Sequence, residues 1–560
     1  MNGATLLLIS IVCLVAGYLL YGRWLARQWG VDPSRETPAH TEYDGVDYVP
    51  AKPSVLLGHH FSSIAGAGPI TGPIQAAVFG WLPVTLWILI GGLFFGAVHD
   101  FGSLFSSVRN KGRSIAETIS ESMGERSKKL FIVFAYVTLI LVIAAFASIV
   151  AGTFDGFNAD GSTNLTNGMT ASISLLFIFA AVILGYLMNR FQMSALTSAV
   201  VAIVMLLICV TIGMHFPIYI SEDIWIWILA LYILVASIVP VWILLQPRDY
   251  LCSFLLYGVI GAAIAGILLS HPDMELPEFT SFETSLGYLF PALFITVACG
   301  AISGFHSLVS SGTTSKQIDN ERHMLPIAYG GMLIECVMGV IALVCVGLLY
   351  SNGMPSGTPT QIFAQGISEM LSMIGLQNYE VTTYSLVILA VSAFALTSLD
   401  TATRLARFML QEFFLRKEER YQDQRGAKRV LTHPLGATVI TVCLGMLLAM
   451  IGYQKIWGLF GAANQLLAVL ALLAICTWLG NLGKNNRMIY APMIFMLAAT
   501  LTSLLFTVWS KAQVLMTGFD GAVVAQLVLA VVLFGLAVFL MVEGVKTLMD
   551  QRRSRKAETA

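Results

Sequence analysis

The stretch Gly58-His-His-Phe-Ser-Ser-Ile-Ala-Gly-Ala-Gly-Pro-Ile-Thr-Gly-Pro73 interrupts an apolar segment near the N-terminus. Gly66, Gly68 and Pro69 lie at its centre, where a helix is disfavoured by about 1 kcal/mol for each Gly and by about 3 kcal/mol for Pro. Within a bilayer, such a break is tolerated only where protein buries it or where it lines a cavity. The stretch therefore predicts an unwound segment that presents carbonyls and amides to a ligand. A glycine-rich packing face with a proline kink is the alternative.

The composition places most of the chain in lipid. Hydrophobic residues make up 57% of 560, charged residues 11%, and the mean hydropathy is +0.79. A soluble chain carries about 25% charged residues. The net charge of −1 gives no electrostatic basis for a nucleic-acid partner. The eight cysteines lie scattered in apolar segments, which predicts buried thiols without a disulfide, metal site or cofactor.

Fifteen segments meet the length needed to cross a bilayer, since its core of about 30 Å takes roughly 20 apolar residues in a helix. Numbered in chain order as spans 1 to 15, they cover residues 4–21, 58–79, 82–108, 130–150, 171–188, 194–214, 224–245, 251–270, 285–310, 325–349, 381–399, 435–450, 456–479, 488–508 and 521–545. The sequence thus predicts an all-α polytopic membrane protein of about 15 transmembrane helices.

The distribution of positive charge supports this count. With the N-terminus outside and the sides alternating, all of the 31 Lys and Arg residues except Lys455 and Lys511 fall on the cytoplasmic side. A wrong number of spans would invert every later loop and mix the two sets, so the asymmetry fits the positive-inside rule. It predicts a bacterial inner-membrane protein with a periplasmic N-terminus and a cytoplasmic C-terminus.

A second predicted break, around Pro240 in span 7, indicates an internal repeat. Five spans separate it from the break in span 2, and an odd offset is what an inverted repeat requires. Spans 2–6 and 7–11 would form a five-plus-five core, with one leading and four trailing helices. A seven-plus-seven register stays open, because Gly304-Phe-His-Ser-Leu-Val-Ser-Ser-Gly312 in span 9 resembles the stretch in span 2.

The preferred register divides the chain into five parts. These are a leading helix and cytoplasmic loop (1–57), the first repeat (58–215), the second repeat (216–410), a charged cytoplasmic loop (411–434), and four C-terminal helices with a basic tail (435–560). An amphipathic segment, 360–374, is predicted either to lie on the membrane surface or to cap a vestibule.

The two predicted breaks supply the candidate substrate site, because substrate binds at the midplane between discontinuous helices in such transporters. Its predicted residues are His59, His60, Ser63, Gly66, Gly68, Ser237, Pro240 and Trp242.

Ionisable groups at membrane depth are costly and supply a candidate coupling site. Its predicted residues are Asp100, His306, Ser307, Ser310, Ser311 and Glu335. Hydroxyls at three- and four-residue spacing share one face of span 9 and could form an oxygen cage for a cation with carbonyls freed by a break. His306 could instead carry a proton. Hydroxyls bonded back to their own helix are the alternative, and Asp400 is predicted to pair with Arg404 at the end of span 11.

No motif favours an enzyme. The chain has no Gly-x-x-x-x-Gly-Lys-Ser/Thr loop, no His-Glu-x-x-His and no Gly-x-Ser-x-Gly. A secondary transporter fits best, and a channel or a membrane nutrient sensor without concentrative transport are the alternatives.

Several motifs resemble those of the carbon starvation protein A (CstA) family. They are PAKPSVLLGHHFSSIAGAGP from Pro50, GAVHDF from Gly96, PVWILLQPRDYL from Pro240, ISGFHSLVSSGTT from Ile302 and LDTATR from Leu399. The resemblance implies a carrier of the amino acid/polyamine/organocation superfamily with a LeuT-like core. It also implies import of peptides or pyruvate-like small carboxylates in carbon starvation. The implied partners are that substrate, a coupling cation (a proton in preference to sodium) and the lipid bilayer.

Overall fold

The computed structural model describes residues 1–559 except 159, 192, 352, 416–418, 420, 451 and 452, and leaves out the side chains of 421, 453–456 and 554–559. The described chain is almost entirely helical. Its helices are α1 Gly3–Gly17, α2 Arg23–Trp29, α3 Pro38–Thr41, α4 Pro53–Ile64, α5 Gly68–Ala76, α6 Trp81–Gly91, α7 Ala97–Arg109, α8 Ile115–Met123, α9 Glu125–Phe154, α10 Leu165–Phe191, α11 Ala195–His215, α12 Glu222–Ile238, α13 Leu245–Ser270, α14 Leu289–Thr296, α15 Gly304–Gly312, α16 Gly330–Leu349, α17 Pro359–Leu371, α18 Glu380–Phe414, α19 Gly426–Thr432, α20 Pro434–Ala449, α21 Tyr453–Asn481, α22 Arg487–Thr517 and α23 Gly521–Thr559. The strands β1 Glu283–Thr284 and β2 Gly287–Tyr288 form one short antiparallel hairpin.

Eleven helical segments among the described residues are long and apolar enough to cross a membrane, or twelve if the bent pair α19 and α20 is one span. This confirms a multi-pass helical protein. Predicted spans 2, 7 and 9 are absent from that set. Spans 2 and 9 are each built from two short helices, and α12 in span 7 has 17 residues.

The predicted break in span 2 is confirmed. α4 ends at Ile64 and α5 begins at Gly68, with residues 65–67 between them. Pro69 lies in the first turn of α5, where its fixed φ suits a helix start and its missing N–H costs no hydrogen bond. The short break therefore has a local cause, and every residue in it is buried.

The predicted break inside span 7 is wrong. α12 ends at Ile238 and α13 begins at Leu245, so Pro240 lies in the turn between two helices. Proline has no N–H and cannot continue the hydrogen-bond ladder of α12. The second interrupted span is span 9, in which residues 297–303 separate α14 from α15.

The two interrupted spans touch at their breaks. A Cβ atom on Gly68 would lie 2.4 Å from Cys299 Sγ, and one on Gly72 would lie 2.6 Å from the carbonyl oxygen of Thr296. Backbone can approach this closely only where the side chain is a hydrogen. Around this crossing, α4 packs on α13, α5 on α16, α15 on α7, and the long helices α9 and α18 pack on each other.

The predicted amphipathic segment forms α17, which packs against α16 and α18. Thr358 and Gln361 form a capping box at its N-terminus, which satisfies amides of the first turn. This packing favours the predicted cap over a helix lying free on the membrane surface. The predicted loop 411–434 begins inside α18 and contains α19, while its residues 416–418 and 420 lie outside the described part of the chain.

Candidate functional site

The break in span 2 is closed by hydroxyls of α18. Because α4 ends at Ile64, the carbonyl of Ser63 has no amide donor in the next turn, and Ser398 Oγ donates to it at 2.9 Å. Ser63 Oγ lies 3.1 Å from Thr401 Oγ1. A Cβ atom on Gly66 would lie 2.8 Å from Ser398 Oγ. The hydroxyl predicted to come from span 9 therefore comes from span 11.

The hydroxyls of α15 mostly bond within their own helix. Ser307 Oγ donates to the carbonyl of Gly304 at 2.6 Å, and Ser311 Oγ donates to that of Ser307 at 2.7 Å. Ser310 Oγ is buried and has no hydrogen-bond partner among the described residues. The alternative of a back-bonded hydroxyl face thus describes Ser307 and Ser311, and the cation-coupling role of these serines stays a prediction.

A buried group of charges joins four helices, and we call it the Arg248 network: His59, Tyr232, Arg248, Asp249 and Asp400. His59 Nδ1 lies 2.6 Å from Asp249 Oδ2, and Arg248 donates to Asp249 Oδ1 at 2.9 Å. Arg248 also forms a short ion pair with Asp400, which accepts a 2.6 Å hydrogen bond from the Tyr232 hydroxyl. His59 thereby ties α4, the first half of span 2, to α12, α13 and α18.

The predicted local ion pair of Asp400 and Arg404 is wrong. Arg404 donates to Asp47 Oδ1 at 2.7 Å and to the backbone carbonyls of Ala236 and Val239. Asp400 is one helical turn away and faces Arg248 instead, because that guanidinium lies inside the bundle.

A second buried group, the His306 cluster, consists of His99, Asp100, Cys299, His306 and Glu335. Asp100 Oδ2 lies 3.0 Å from His306 Nδ1, and its other oxygen lies 2.8 Å from His99 Nδ1. His306 Nε2 lies 3.5 Å from Glu335 Oε2. The cluster joins α7, α15, α16 and the break in span 9. Cys299, His306 and Glu335 present ligand atoms within 4.8 Å of one another, so these three could hold a metal ion.

His60 lies next to His59 in the chain and faces other partners. Its Nδ1 atom lies 2.8 Å from Thr314 Oγ1, while Nε2 is buried without a partner among the described residues. A Cβ atom on Gly331, one turn before Glu335 in α16, would lie 3.7 Å from that Nε2. The two neighbouring histidines therefore turn toward the two different buried groups.

Three predicted substrate residues lie elsewhere. Ser237 Oγ faces Thr438 Oγ1 of α20 at 3.4 Å. Pro240 and Trp242 lie in the turn after α12, whose Val241 amide donates to the carbonyl of Val46. Since residues 239–244 form the turn between two helices and not a break within one span, these three residues do not join His59, His60, Ser63, Gly66 and Gly68.

Two cavities lie at opposite ends of span 2. One, of about 740 Å³, is lined by Asp47 and Tyr48 ahead of α4 and by Arg407. The other, of about 320 Å³, is lined by Thr71 of α5 and by the start of α17. Burial opposes ionisation of Asp47, but Arg407, Arg404 and Lys316 hold the pKa of its carboxyl below the usual value. Along span 2, the break at residues 65–67 lies between the residues that line the two cavities.

Sequence reasoning missed Tyr232, Arg248, Asp249, Cys299 and Ser398. A signal for two of them existed: Gln246-Pro-Arg-Asp249 directly precedes an apolar segment, and Pro favours the first turn of a helix. Arg248 was instead counted among the loop charges. The cysteine and the tyrosine carry no local signal, since apolar segments contain many of both.

Comparison with known proteins identifies the family. The family described as Carbon starvation protein CstA matches residues 2–356 and 351–503. Peptide transporter CstA of Campylobacter jejuni is 34% identical over 89% of this chain and 79% of its own length. The same-named protein of Escherichia coli is 32% identical, over 91% and 81%. The Pyruvate/proton symporter BtsT of E. coli is 32% identical, over 83% and 75%.

The fold is also found in a solved structure. A point mutant of the manganese transporter of Eremococcus coleocola superposes with a TM-score of 0.50, at 14% identity, over 91% of this chain and 99% of its own. At that identity the likeness concerns the fold alone. The chain therefore belongs to the carbon starvation protein CstA family and is a multi-pass membrane transporter, not an enzyme.

Proposed function

We propose that this protein imports small solutes that carry a carboxylate, either peptides or pyruvate, together with protons and in response to carbon starvation. The names of its relatives support both substrate classes, because they include peptide transporters and a pyruvate/proton symporter. The observation that carries the proposal is the buried pair of His59 and Asp249, which joins one half of an interrupted span to the rest of the bundle.

The proposed architecture has fifteen spans in a bacterial inner membrane, with the N-terminus periplasmic and the C-terminus cytoplasmic. Twelve come from the long helices and the bent pair, and three from the segments α4–α5, α12 and α14–α15. The asymmetry of Lys and Arg along the sequence supports the orientation. Arg248 is one of the residues counted on the cytoplasmic side, but its side chain lies inside the bundle.

The proposed core is a LeuT-like five-plus-five inverted repeat that starts at span 2 and again at span 9. Both spans are interrupted, and their offset of seven inverts the second copy. Spans 5 and 6, formed by α10 and α11, are then an insertion in the first copy. Spans 2, 3, 4, 7 and 8 correspond to spans 9 to 13, with span 1 leading and spans 14 and 15 trailing. This register replaces the predicted bounds 58–215 and 216–410.

Helix packing supports that register. α4 packs on α13 in the first copy, and its counterpart α14 packs on α21 in the second. α5 of the first copy packs on α16 of the second, and α15 of the second packs on α7 of the first. The third helices of the two copies, α9 and α18, pack on each other. When each helix is replaced by the corresponding helix of the other copy, every one of these contacts maps onto another contact in the set, and the contact between α9 and α18 maps onto itself.

Charge balance in the Arg248 network favours a proton on His59. Arg248 contributes one positive charge, and Asp249 and Asp400 contribute two negative charges, so a proton on His59 makes the buried group neutral. A buried charge without a partner is strongly disfavoured. Loss of that proton weakens the tie between α4 and α13. Protonation of His59 therefore favours the arrangement in which α4 lies against α13, and loss of the proton shifts the population of molecules toward the other arrangement.

This gives a coupling scheme. Substrate and proton enter from the cavity lined by Thr71, and the protonated His59 holds α4 against Asp249. When the proton leaves, α4 moves relative to α13 and opens a path toward the cavity lined by Asp47. The long helix α18 is linked to this movement through Asp400, because Arg248 pairs with both Asp400 and Asp249.

The coupling role predicted for the second group stays a separate prediction. It concerns Asp100, His306, Ser307, Ser310, Ser311 and Glu335. If His306 carries the coupling cation, His306→Ala lowers concentrative uptake much more than exchange across an equilibrated membrane. Equal losses would exclude the residue from coupling.

Uptake by the purified protein in proteoliposomes tests the function. We expect labelled pyruvate or a labelled dipeptide to accumulate under an inward proton gradient, and a protonophore to abolish accumulation. Counterflow should persist without a gradient, which a channel cannot show. Accumulation driven by a sodium gradient and insensitive to the protonophore would overturn proton coupling. Failure of both substrates to show counterflow would overturn the substrate class.

A further inference from the structure

The His306 cluster contains buried polar atoms that have no hydrogen-bond partner among the described residues. They include His306 Nε2 and both carboxylate oxygens of Glu335. Both residues have fully buried side chains, as does Cys299 to within a few per cent. Buried polar atoms without partners are rare in folded proteins, because each has given up its hydrogen bonds to water without replacing them. Two of these atoms, His306 Nε2 and Glu335 Oε2, lie 3.5 Å apart, and this unpartnered pair points to a ligand.

Asp100 sets the orientation of His306. Its carboxylate lies 3.0 Å from Nδ1, so this ring nitrogen carries the proton and Nε2 presents its lone pair toward Glu335. Histidines that bind metals commonly donate their other ring N–H to a carboxylate, which fixes the tautomer and raises the basicity of the ligand. Asp100 is itself held by His99 at 2.8 Å. The orienting carboxylate is thus present behind His306.

The distances and charges fit a small divalent ion. Two nitrogen or oxygen ligands of tetrahedral zinc, each about 2.0–2.1 Å from the ion, are about 3.4 Å apart. His306 Nε2 and Glu335 Oε2 are 3.5 Å apart, and the ligand atoms of Cys299, His306 and Glu335 lie within 4.8 Å of one another. A thiolate and a carboxylate among the ligands balance the two positive charges of the ion, and the Asp100 carboxylate lies behind them, hydrogen-bonded to His306 and His99.

We propose that Cys299, His306 and Glu335 bind a divalent transition-metal ion of the zinc class. Thiolate, imidazole and carboxylate together suit zinc and its neighbours better than calcium or magnesium, which prefer oxygen ligands alone. Binding removes the proton from the Cys299 thiol and releases it. The inference does not rest on proton coupling at His59, since the two groups share no residue.

The position of the site gives the ion a structural task. Cys299 lies in the break of span 9, whereas Glu335 lies on the continuous helix α16. An ion held by both fixes the unwound segment to a rigid neighbour. It also fixes the crossing of the two spans, because Cys299 is the residue that Gly68 contacts. The ion is therefore a resident part of the transporter and not its cargo.

Metal content of the full-length protein tests the proposal. The protein is purified without a metal-binding tag, incubated with zinc, washed and measured by elemental mass spectrometry. We expect about one tightly held zinc per chain, and at least a tenfold loss of affinity in Cys299→Ser. Cys345→Ser is the matched control, since this buried thiol of α16 packs against Gly366 and not against the cluster. It should retain the zinc.

Cobalt substitution is measured on wild-type protein, so its result does not depend on whether the Cys299→Ser variant folds. Wild-type protein loaded with Co²⁺ should show the thiolate-to-cobalt charge-transfer band of a sulfur-ligated ion, and excess zinc should remove it. The proposal would be overturned if wild-type protein bound no more zinc or cobalt than Cys299→Ser does and showed no charge-transfer band. Equal zinc loss in Cys299→Ser and Cys345→Ser would likewise overturn it. Proton-driven uptake is measured separately, so its failure leaves this result unaffected.

Discussion

The Arg248 network and the His306 cluster are both buried in the centre of the bundle, and both use a histidine beside a carboxylate. In the Arg248 network each charged group has an opposite charge within hydrogen-bond distance. In the His306 cluster Asp100 is paired on both oxygens, but Glu335 has no hydrogen bond. In the first group the charges balance once one proton is added, although His59 Nε2, Arg248 Nε and Asp400 Oδ1 have no hydrogen-bond partner among the described residues. The second places Glu335 beside Cys299 and His306 and, among the described residues, pairs it with no Lys or Arg; this difference separates the proposed coupling site from the proposed ion site.

The largest expected effect is on the Arg248 network. Arg248→Ala leaves Asp249 and Asp400 with one guanidinium fewer between them, and removing one partner of a buried ion pair costs about 3–5 kcal/mol. We expect a large fall in the thermal unfolding midpoint or a failure to accumulate in the membrane. Arg552→Ala, at an exposed position near the C-terminus, should be neutral. Wild-type stability in Arg248→Ala would show that the two carboxylates do not depend on this guanidinium.

The next effect concerns the crossing that lies beside the His306 cluster. A Cβ atom on Gly68 would meet Cys299 at 2.4–2.5 Å, so Gly68→Leu should abolish both uptake and zinc binding while insertion into the membrane persists. Gly258→Leu is the control, because a Cβ atom there meets no heavy atom within 4 Å. Normal uptake by Gly68→Leu would mean that the two breaks need not touch.

The smallest effect lies outside both buried groups, at the cavity ahead of α4. Asp47 accepts a hydrogen bond from Arg404 at 2.7 Å, and hydrogen bonds to charged groups contribute about 1.5–3 kcal/mol. Asp47→Asn should therefore unfold at a lower temperature at pH 7. The pKa of Asp47 is lowered by folding, so its contribution is present above the unfolded value of about 3.9 and disappears as pH falls through the folded pKa.

Unfolding midpoints of wild type and Asp47→Asn should accordingly converge in acid. Asp550→Asn supplies the control, because Asp550 is exposed and only 3.9 Å from Arg553, a geometry that contributes little. A difference between wild type and Asp47→Asn that grows as pH falls would contradict the assigned sign.

The sequence predicted those features that local chemistry determines. Hydropathy and the Lys and Arg pattern predicted a multi-pass protein, and two glycines with a proline predicted the break at residues 65–67. Pro240 misled the prediction, because proline ends a helix as readily as it breaks one. The break in span 9 has no proline, and its chain is held open partly by Asn464 of α21, which accepts from the Phe305 amide at 2.8 Å. A contact 159 residues away along the chain leaves no local signal.

The candidate site shows the same limit. His59, His60, Asp100, His306 and Glu335 were found because ionisable residues are rare at membrane depth. The partner of His59 was not found, since Asp249 lies 190 residues away in sequence and was assigned to a loop. Pairing between distant spans depends on the packing of the whole bundle, which no local sequence pattern encodes.

Proton-driven accumulation and counterflow, compared in His59→Gln proteoliposomes, test the central claim most directly. Glutamine can still hydrogen-bond to Asp249 but cannot carry the proton. We predict that accumulation under a proton gradient falls at least tenfold, while counterflow stays within about threefold of wild type. His215→Gln, at the exposed end of α11, should change neither. Unchanged accumulation in His59→Gln, or an equal loss of accumulation and counterflow, would contradict the assignment of proton coupling to His59 and Asp249.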